Sequence, residues 1–315
     1  MKDYCILCKT TRKMIARIKR VILQPKRLVW FLLHKTARLW PDKLFLQVKF
    51  RLMMGRKLDL KNPVTFNEKL QWLKLYNRRP EYTMMVDKYA VKQYVAGKIG
   101  EQYIIPTIGV WDSVDEIDWD VLPNQFVLKT THGGGGGGVV ICKDKSSFDR
   151  REAVAKLQES LDSDIYINFR EWPYRNVHKR IIAEQYMVDE SSVELKDYKF
   201  FCFSGEARCF KVDFDRFSGH RANYYSMEAK LLPFGEVFCR PDYNRHFEKP
   251  KGFEKMVEIV ETLSKDIPFV RVDLYNADGK IYFGEMTFFP AAGMGKFEPE
   301  EWDRVLGDWL VLGRC

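Results

Sequence analysis

Long apolar runs are missing from this chain. Leu28-Val-Trp-Phe-Leu-Leu33 is six residues long, against the roughly 18–20 that cross a bilayer, so no membrane-spanning helix is expected. Charges interrupt the apolar runs near the N-terminus and no small-residue cleavage site follows, so this stretch does not read as a secretory signal. A disulfide framework is missing too. The seven cysteines (Cys5, Cys8, Cys142, Cys202, Cys209, Cys239 and Cys315) are odd in number and scattered, which suits a reducing, cytoplasmic setting. Cys5-x-x-Cys8 has no second Cys or His pair at zinc spacing. Acidic residues are nearly absent from residues 1–57, where sixteen Lys/Arg face only Asp3 and Asp42. The chain's net charge of +9 therefore belongs to that segment, and the rest sums to about −5. Common catalytic signatures are also lacking. No Lys-Ser/Thr follows the glycine run, which excludes a Walker A loop, and neither G-x-S-x-G nor H-E-x-x-H occurs.

Material for a core is present. Of 315 residues, 46% are hydrophobic and 14% aromatic, which excludes a disordered chain and suggests one large or two modest domains. Residues 10–58 read as helical and basic, divided by Pro25 and Pro41 and studded with Trp30, Phe31 and Trp40. Such a segment suits a peripheral contact with anionic lipid at the inner face of the plasma membrane, or with a partner. The plainer alternative is a solvated helix packed on the body. No nucleic-acid motif is present.

Beyond it, Thr65 or Asn67 can cap a helix through Leu70, Leu73 and Tyr76. A second helix starts at Asp87 and carries Lys88 and Lys92 on one face. Residues 147–161 and 250–266 repeat apolar positions at helical spacing. Antiparallel hairpins are expected over 198–213 and 269–287. Helices mixed with antiparallel strands make the fold class α+β.

Two stretches can carry chemistry. In Phe126-Val-Leu-Lys129-Thr-Thr-His-Gly-Gly-Gly-Gly-Gly-Gly138-Val-Val-Ile141, a strand runs into six glycines and a second strand follows. Glycine backbone can approach anionic oxygens closely and Lys129 adds a full charge, so this is either a phosphate cradle or a floppy hairpin. In the last hairpin, period-two alternation puts Arg271 and Asp273 on one face of their strand, and Glu285 and Thr287 on one face of the partner. Two carboxylates and a hydroxyl suit Mg2+, and Arg271 beside them would neutralise phosphoryl oxygens. The alternative is a simple cross-strand ion ladder. Glu184, ending the apolar run from Ile181, is a candidate acceptor for an adenine amino group, or simply a paired glutamate. Asp-x-Asp occurs at Asp118/Asp120, Asp162/Asp164 and Asp213/Asp215. Of these, Asp213/Asp215 is the candidate for a glycosyltransferase metal site.

Taken together, Asp87-Lys88, Lys129 with its glycines, Glu184, and Arg271-x-Asp273…Glu285-x-Thr287 resemble the ATP-grasp superfamily. Phe66-Asn-Glu-Lys-Leu-Gln-Trp-Leu-Lys-Leu-Tyr76, Leu122-Pro-Asn-Gln-Phe-Val-Leu-Lys129, Asp197-Tyr-Lys-Phe-Phe-Cys-Phe203 and Phe269-Val-Arg-Val-Asp-Leu-Tyr275 are more closely similar to the TupA-like ATP-grasp proteins of bacterial surface-polysaccharide synthesis. The resemblance implies two α+β lobes clamping ATP between antiparallel sheets. It divides the chain into a basic segment, 1–60, and an ATP-grasp domain, 61–312, with lobes near 85–180 and 181–312. Lys129, Gly134, Gly135 and Gly136 would hold phosphates, with Lys92 or Lys88 adding a contact. Glu184 with Tyr186 and Met187 would read adenine, Asp197 the ribose, and Lys199 would stand beside it in the nucleotide site. Asp273, Glu285 and Thr287 would hold Mg2+, with Arg271 at the transferring phosphoryl group. Arg216, His220 and Arg221 are candidates for an anionic substrate. Thr287 stands where the family usually has Asn, and the glycine loop is longer than usual. The implied activity is amide formation between a carboxylate and an amino acid or other amine, through an acyl phosphate, on a polysaccharide or lipid-linked sugar precursor. Glycosyl transfer through Asp213/Asp215 and a non-catalytic nucleotide-binding scaffold are the alternatives.

Overall fold

In a computed structural model, residues 25–134, 136–188, 196–215 and 219–313 are described. Cys5, Cys8, the helical reading of residues 10–24, Gly135 and Arg216 lie outside the described residues. The chain divides into two units, Met1–Leu58 and Asp59–Cys315. Among the described residues, no helix is long and apolar enough to cross a membrane.

In the first unit, helices Pro25–Lys35 and Asp42–Met54 are separated by a short 3-10 turn and Pro41. Pro25 is tolerated at a helix start because the N–H it lacks would have no partner there. Gly55 closes the second helix with φ 79°, the left-handed conformation glycine adopts without strain. Leu33, Ala37, Phe45, Leu46 and Phe50 are buried. Lys49 is buried as well, with its ammonium 3.4 Å from His34 Nε2 and 5.2 Å from the Trp30 ring centre.

The second unit opens with the helix Phe66–Tyr76. Of the two candidate caps, Thr65 does the work, in a reciprocal box with Glu68. Asn67 instead donates to Gly295 O (2.8 Å) and Asp303 Oδ1 (2.9 Å). Gln71 and Lys74, on the same face, donate to Gly293 O (2.6 Å) and Ala292 O (2.8 Å). This helix therefore holds the segment that follows the last hairpin, where Ala291, Ala292 and Gly293 are all left-handed (φ 48°, 54° and 60°). Left-handed alanine costs roughly 1–2 kcal/mol per residue, so these long-range hydrogen bonds are what keep the turn in place.

Two antiparallel sheets follow. The first has the order β1 (Thr107–Trp111), β4 (Ile181–Gln185), β2 (Phe126–Thr130), β3 (Val139–Cys142). Strand β4 lies after residue 180, so the expected lobe boundary falls one strand ahead of the end of this sheet. Alternation sends Phe126, Leu128 and Cys142 to an outer core with Leu157 of the helix Arg150–Asp162. It leaves Val127 and Lys129 on the other face. The second sheet has the order β10 (Lys280–Thr287), β9 (Phe269–Ala277), β5 (Asp197–Phe203), β6 (Glu206–Phe214), β7 (Arg221–Ser226). The helix Phe253–Ser264 covers it, burying Phe253, Met256, Ile259, Val260 and Leu263 as the helical spacing predicts. A two-stranded ribbon, β8 (Gly235–Glu236) with β11 (Phe297–Glu298), and the helix Glu301–Trp309 complete the unit.

Candidate functional site

The β9–β10 hairpin turns through Asp278 and Gly279, both left-handed (φ 50° and 87°). From this turn pairing runs regularly to Phe283↔Leu274. The register then shifts by one residue at Gly284, and Glu285↔Asp273 and Thr287↔Arg271 follow. The shift decides the site. Regular pairing would set Gly284 opposite Asp273 and turn Glu285 and Thr287 to the far face. A Cβ on Gly284 would sit 2.9 Å from the Asp273 carbonyl oxygen and 3.1 Å from the Tyr275 ring, so the bulge needs glycine there.

The bulge brings the expected residues together around Arg271. Its Nη2 donates to Asp273 Oδ2 (2.7 Å), Glu285 Oε1 (2.9 Å) and Thr287 Oγ1 (3.0 Å), while Nε donates to Asp273 Oδ1 (2.7 Å). Oxygens of three residues thus converge on one cationic nitrogen. That donor set, two carboxylates and a hydroxyl, fits a hard divalent cation. Burial pushes the Asp273 carboxyl up, Arg271 and Lys199 oppose it, and Asp197 and Glu285 add to it; the net direction is upward. Burial also acts to raise Glu285, but Lys88, Arg271 and Lys199 outweigh it and hold the group at about 2. Neighbouring carboxylates are in this way driven apart.

The opposite wall belongs to the first sheet. Asp87 accepts from the Tyr89 and Ala90 N–H groups (2.8 and 3.1 Å) and from Arg180 Nη2 (3.0 Å), while the Lys88 N–H donates to Thr131 O (2.9 Å). So fixed, the Lys88 side chain reaches Gly133 O and lies 3.8 Å from Glu285 Oε2. It links the glycine turn to the carboxylate hairpin. Lys92, the other candidate, donates to Glu184 Oε1 (2.5 Å), Ile105 O (2.7 Å) and Thr107 Oγ1 (2.8 Å). Its three donors are committed to holding the first sheet, which makes Lys88 the better placed of the two for a phosphate.

Glu184 is paired, one of the two readings that the sequence allows. It is 5% exposed, and its second oxygen lies 2.6 Å from Lys129 Nζ. Burial raises the Glu184 carboxyl, but Lys129 and Lys92 outweigh it and lower it; the same pairing keeps Lys129 charged against burial. With one lysine on each oxygen, Glu184 positions Lys129 and keeps acceptor capacity toward the cavity that it lines. Tyr186 and Met187 follow directly after β4. Both residues line a cavity of about 1030 Å³ with Lys88, Lys129, Gly136 and Glu285.

The glycine run divides by function. A Cβ on Gly133 or Gly138 would collide with Thr130 Oγ1, and on Gly138 also with Ser160 Oγ. Gly136 has φ 77°. Gly134 and Gly137 have room for a side chain. Among the described residues, the N–H groups of Gly134 and Gly136 donate to no backbone carbonyl. Part of the run therefore serves packing against Thr130 and Ser160, and part has N–H groups that no backbone carbonyl among the described residues takes up.

Asp197 and Lys199 are both buried. Lys199 bonds Asp197, lies 2.6 Å from Asp213 Oδ2, and is 3.9 Å from Asp273 Oδ2. This buried cluster is a feature that the sequence reading missed; the signal was the shared parity of Asp197, Lys199, Lys211 and Asp213 on paired strands. His220 Nε2 is 3.1 Å from Asp213 Oδ1, whereas Arg221 is exposed at the start of β7. Asp213 turns inward to Lys199, and Asp215 turns outward to Arg245 at 3.0 Å. The two do not form a paired metal site.

The family model described as TupA-like ATPgrasp matches residues 68–311. No protein of curated function matches the sequence. A D-alanine–D-alanine ligase from Bacillus anthracis is 14% identical with a TM-score of 0.40, over 72% of this chain and 66% of that one. The D-cycloserine synthetase DcsG is 15% identical with a TM-score of 0.40, over 72% and 69%. The ATP-grasp ligase PsnB, solved with a minimal precursor, is 8% identical with a TM-score of 0.41, over 85% and 69%. The chain spans just under two thirds of the Bacillus anthracis ligase. No residue role follows from likenesses at this level.

Proposed function

The chain belongs to the TupA-like ATP-grasp family, and from that premise we propose an ATP- and Mg2+-dependent ligase that joins a carboxylate to an amine on a cell-surface saccharide or its precursor. The observation that carries the reading is the position of Lys88. It touches the glycine turn and stands beside Glu285, so phosphate-binding and cation-binding groups share one cavity. Phosphoryl transfer asks for this combination of positioning and charge neutralisation.

In the reaction, Lys88, Lys129 and the N–H groups of Gly134 and Gly136 hold the phosphates of ATP. Glu184 keeps Lys129 charged and in place. Asp273, Glu285 and Thr287 would hold Mg2+, which when bound adds positive charge at the phosphoryl oxygens. Arg271 neutralises the group in transfer. The substrate carboxylate takes the γ-phosphoryl group from ATP, giving an acyl phosphate and ADP. The amine then attacks the acyl carbon, loses a proton and expels inorganic phosphate. His220, paired with Asp213, is a candidate for contact with the acceptor.

The test is ADP and phosphate release by the purified protein with ATP, Mg2+, a uronic-acid saccharide and an amino acid. Release should require both the carboxylate and the amine. Sugar-nucleotide turnover without any need for ATP would overturn the proposal.

A further inference from the structure

The helix Pro25–Lys35 presents an apolar face to solvent. Val29, Phe31 and Leu32 are 41%, 53% and 47% exposed, and half-buried Leu28 completes a stripe at i, i+1, i+3, i+4 spacing. Leu33, on the other side, is 1% exposed and serves the helix pair's own packing. Trp30 stands between the two faces, with its ring 4.3 Å from His34. Leu39 and Leu44, just beyond, are also exposed, at 82% and 45%. Leu28, Val29, Phe31 and Leu32 are thus neighbours on one helix face, not isolated surface residues.

The charge around it has one sign. Residues 25–58 contain nine Lys/Arg and a single acid, Asp42. Arg27, Lys35, Arg38 and Lys43 are exposed. Lys35 is four residues after Phe31 and therefore on the stripe itself, where a long aliphatic stem can lie along apolar surface with its ammonium at headgroup level. At eleven residues the helix is about 16 Å long, far short of a hydrocarbon core of about 30 Å. It can lie in an interface but cannot cross one.

We infer that this helix is an in-plane anchor for an anionic lipid surface. The Leu28, Val29, Phe31 and Leu32 face enters the boundary between headgroups and acyl chains, and the basic residues pair with anionic headgroups. An apolar partner protein would match the stripe but not the one-signed charge around it. A lipid leaflet of negative surface potential matches both.

The inference is tested by binding and does not depend on the ligase reading. The full-length protein is sedimented with phosphatidylcholine vesicles, with and without phosphatidylglycerol, at low and high salt. Two double variants, Phe31→Ser with Leu32→Ser and Arg27→Gln with Lys35→Gln, are compared after circular dichroism and melting show that their folds are kept. Binding should require phosphatidylglycerol. The serine pair should weaken it by about tenfold or more at either salt. The glutamine pair should weaken it by about fivefold for each charge removed at low salt, and by much less at high salt. Absence of binding to phosphatidylglycerol vesicles overturns the inference. So does unchanged binding by the serine pair, which would leave electrostatic adhesion alone. Self-association abolished by the serine pair, without vesicle binding, would instead make the face a contact between copies of this chain.

Discussion

The β2–β3 and β9–β10 hairpins line the same cavity and use glycine in different ways. In β2–β3, Gly133 and Gly138 allow close packing on Thr130 and Ser160, Gly136 takes a left-handed φ, and the groups offered to a ligand are backbone N–H. In β9–β10, one glycine, Gly284, makes a bulge, and the groups offered are the side chains of Asp273, Glu285 and Thr287. The first hairpin tolerates change wherever a glycine has open space. The second has almost none, because one residue sets the facing of every group beyond it.

Gly284→Val should have the largest effect. Its side chain would meet the Asp273 carbonyl oxygen and the Tyr275 ring, so the bulge that sets Glu285 and Thr287 opposite Asp273 and Arg271 cannot be kept. ATP-dependent turnover should fall by at least about 100-fold, with the β-sheet signal in circular dichroism kept; undiminished turnover would refute the bulge argument. Next comes Glu184→Gln, which leaves Lys92 and Lys129 buried beside a neutral amide. Breaking a buried pair costs about 3–5 kcal/mol, and denaturant unfolding should show a loss of that order. A loss under about 1 kcal/mol, as for a surface pair, would mean that Glu184 is not the keystone of the first sheet.

Smaller effects separate the two lysines. Lys88→Met should weaken binding of a non-hydrolysable ATP analogue by about 10-fold or more, the worth of a charge-assisted hydrogen bond, while stability changes little. Lys92→Met should do the reverse. Calorimetric titration and thermal melts on both variants check this, and equal affinity losses would contradict the division of labour. The smallest effects test the glycine run. Gly138→Ala should cost about 1–3 kcal/mol by overpacking. Gly134→Ala should stay within about 1 kcal/mol and show mainly a few-fold loss of nucleotide affinity. If the two behave alike in unfolding, the run is not divided as described.

Much of this was legible in advance because it is local. Thr65 with Glu68, the apolar stripe from Phe253 to Leu263, and the turns at Ser204-Gly205 and Asp278-Gly279 each depend on residues a few positions apart. Both site hairpins were located by the same means, and so was the α+β class. The stripe of Leu28, Val29, Phe31 and Leu32 was visible as composition, though not as an unpartnered face.

What the sequence determined by itself is which residues stand on which strands, since backbone periodicity and turn chemistry are set by near neighbours. Tertiary structure decided how those residues are used. Glu184 became a holder of lysines because Lys92 and Lys129 arrive from a helix and a neighbouring strand. Lys88 rather than Lys92 reaches the cavity because Asp87, Arg180 and Thr131 fix its backbone. Glu285 and Thr287 face Arg271 and Asp273 because of a one-residue bulge, where simple alternation counted from the turn would have put them on the opposite face. Register and ion pairing are settled by groups far apart in the chain, and no local period records them.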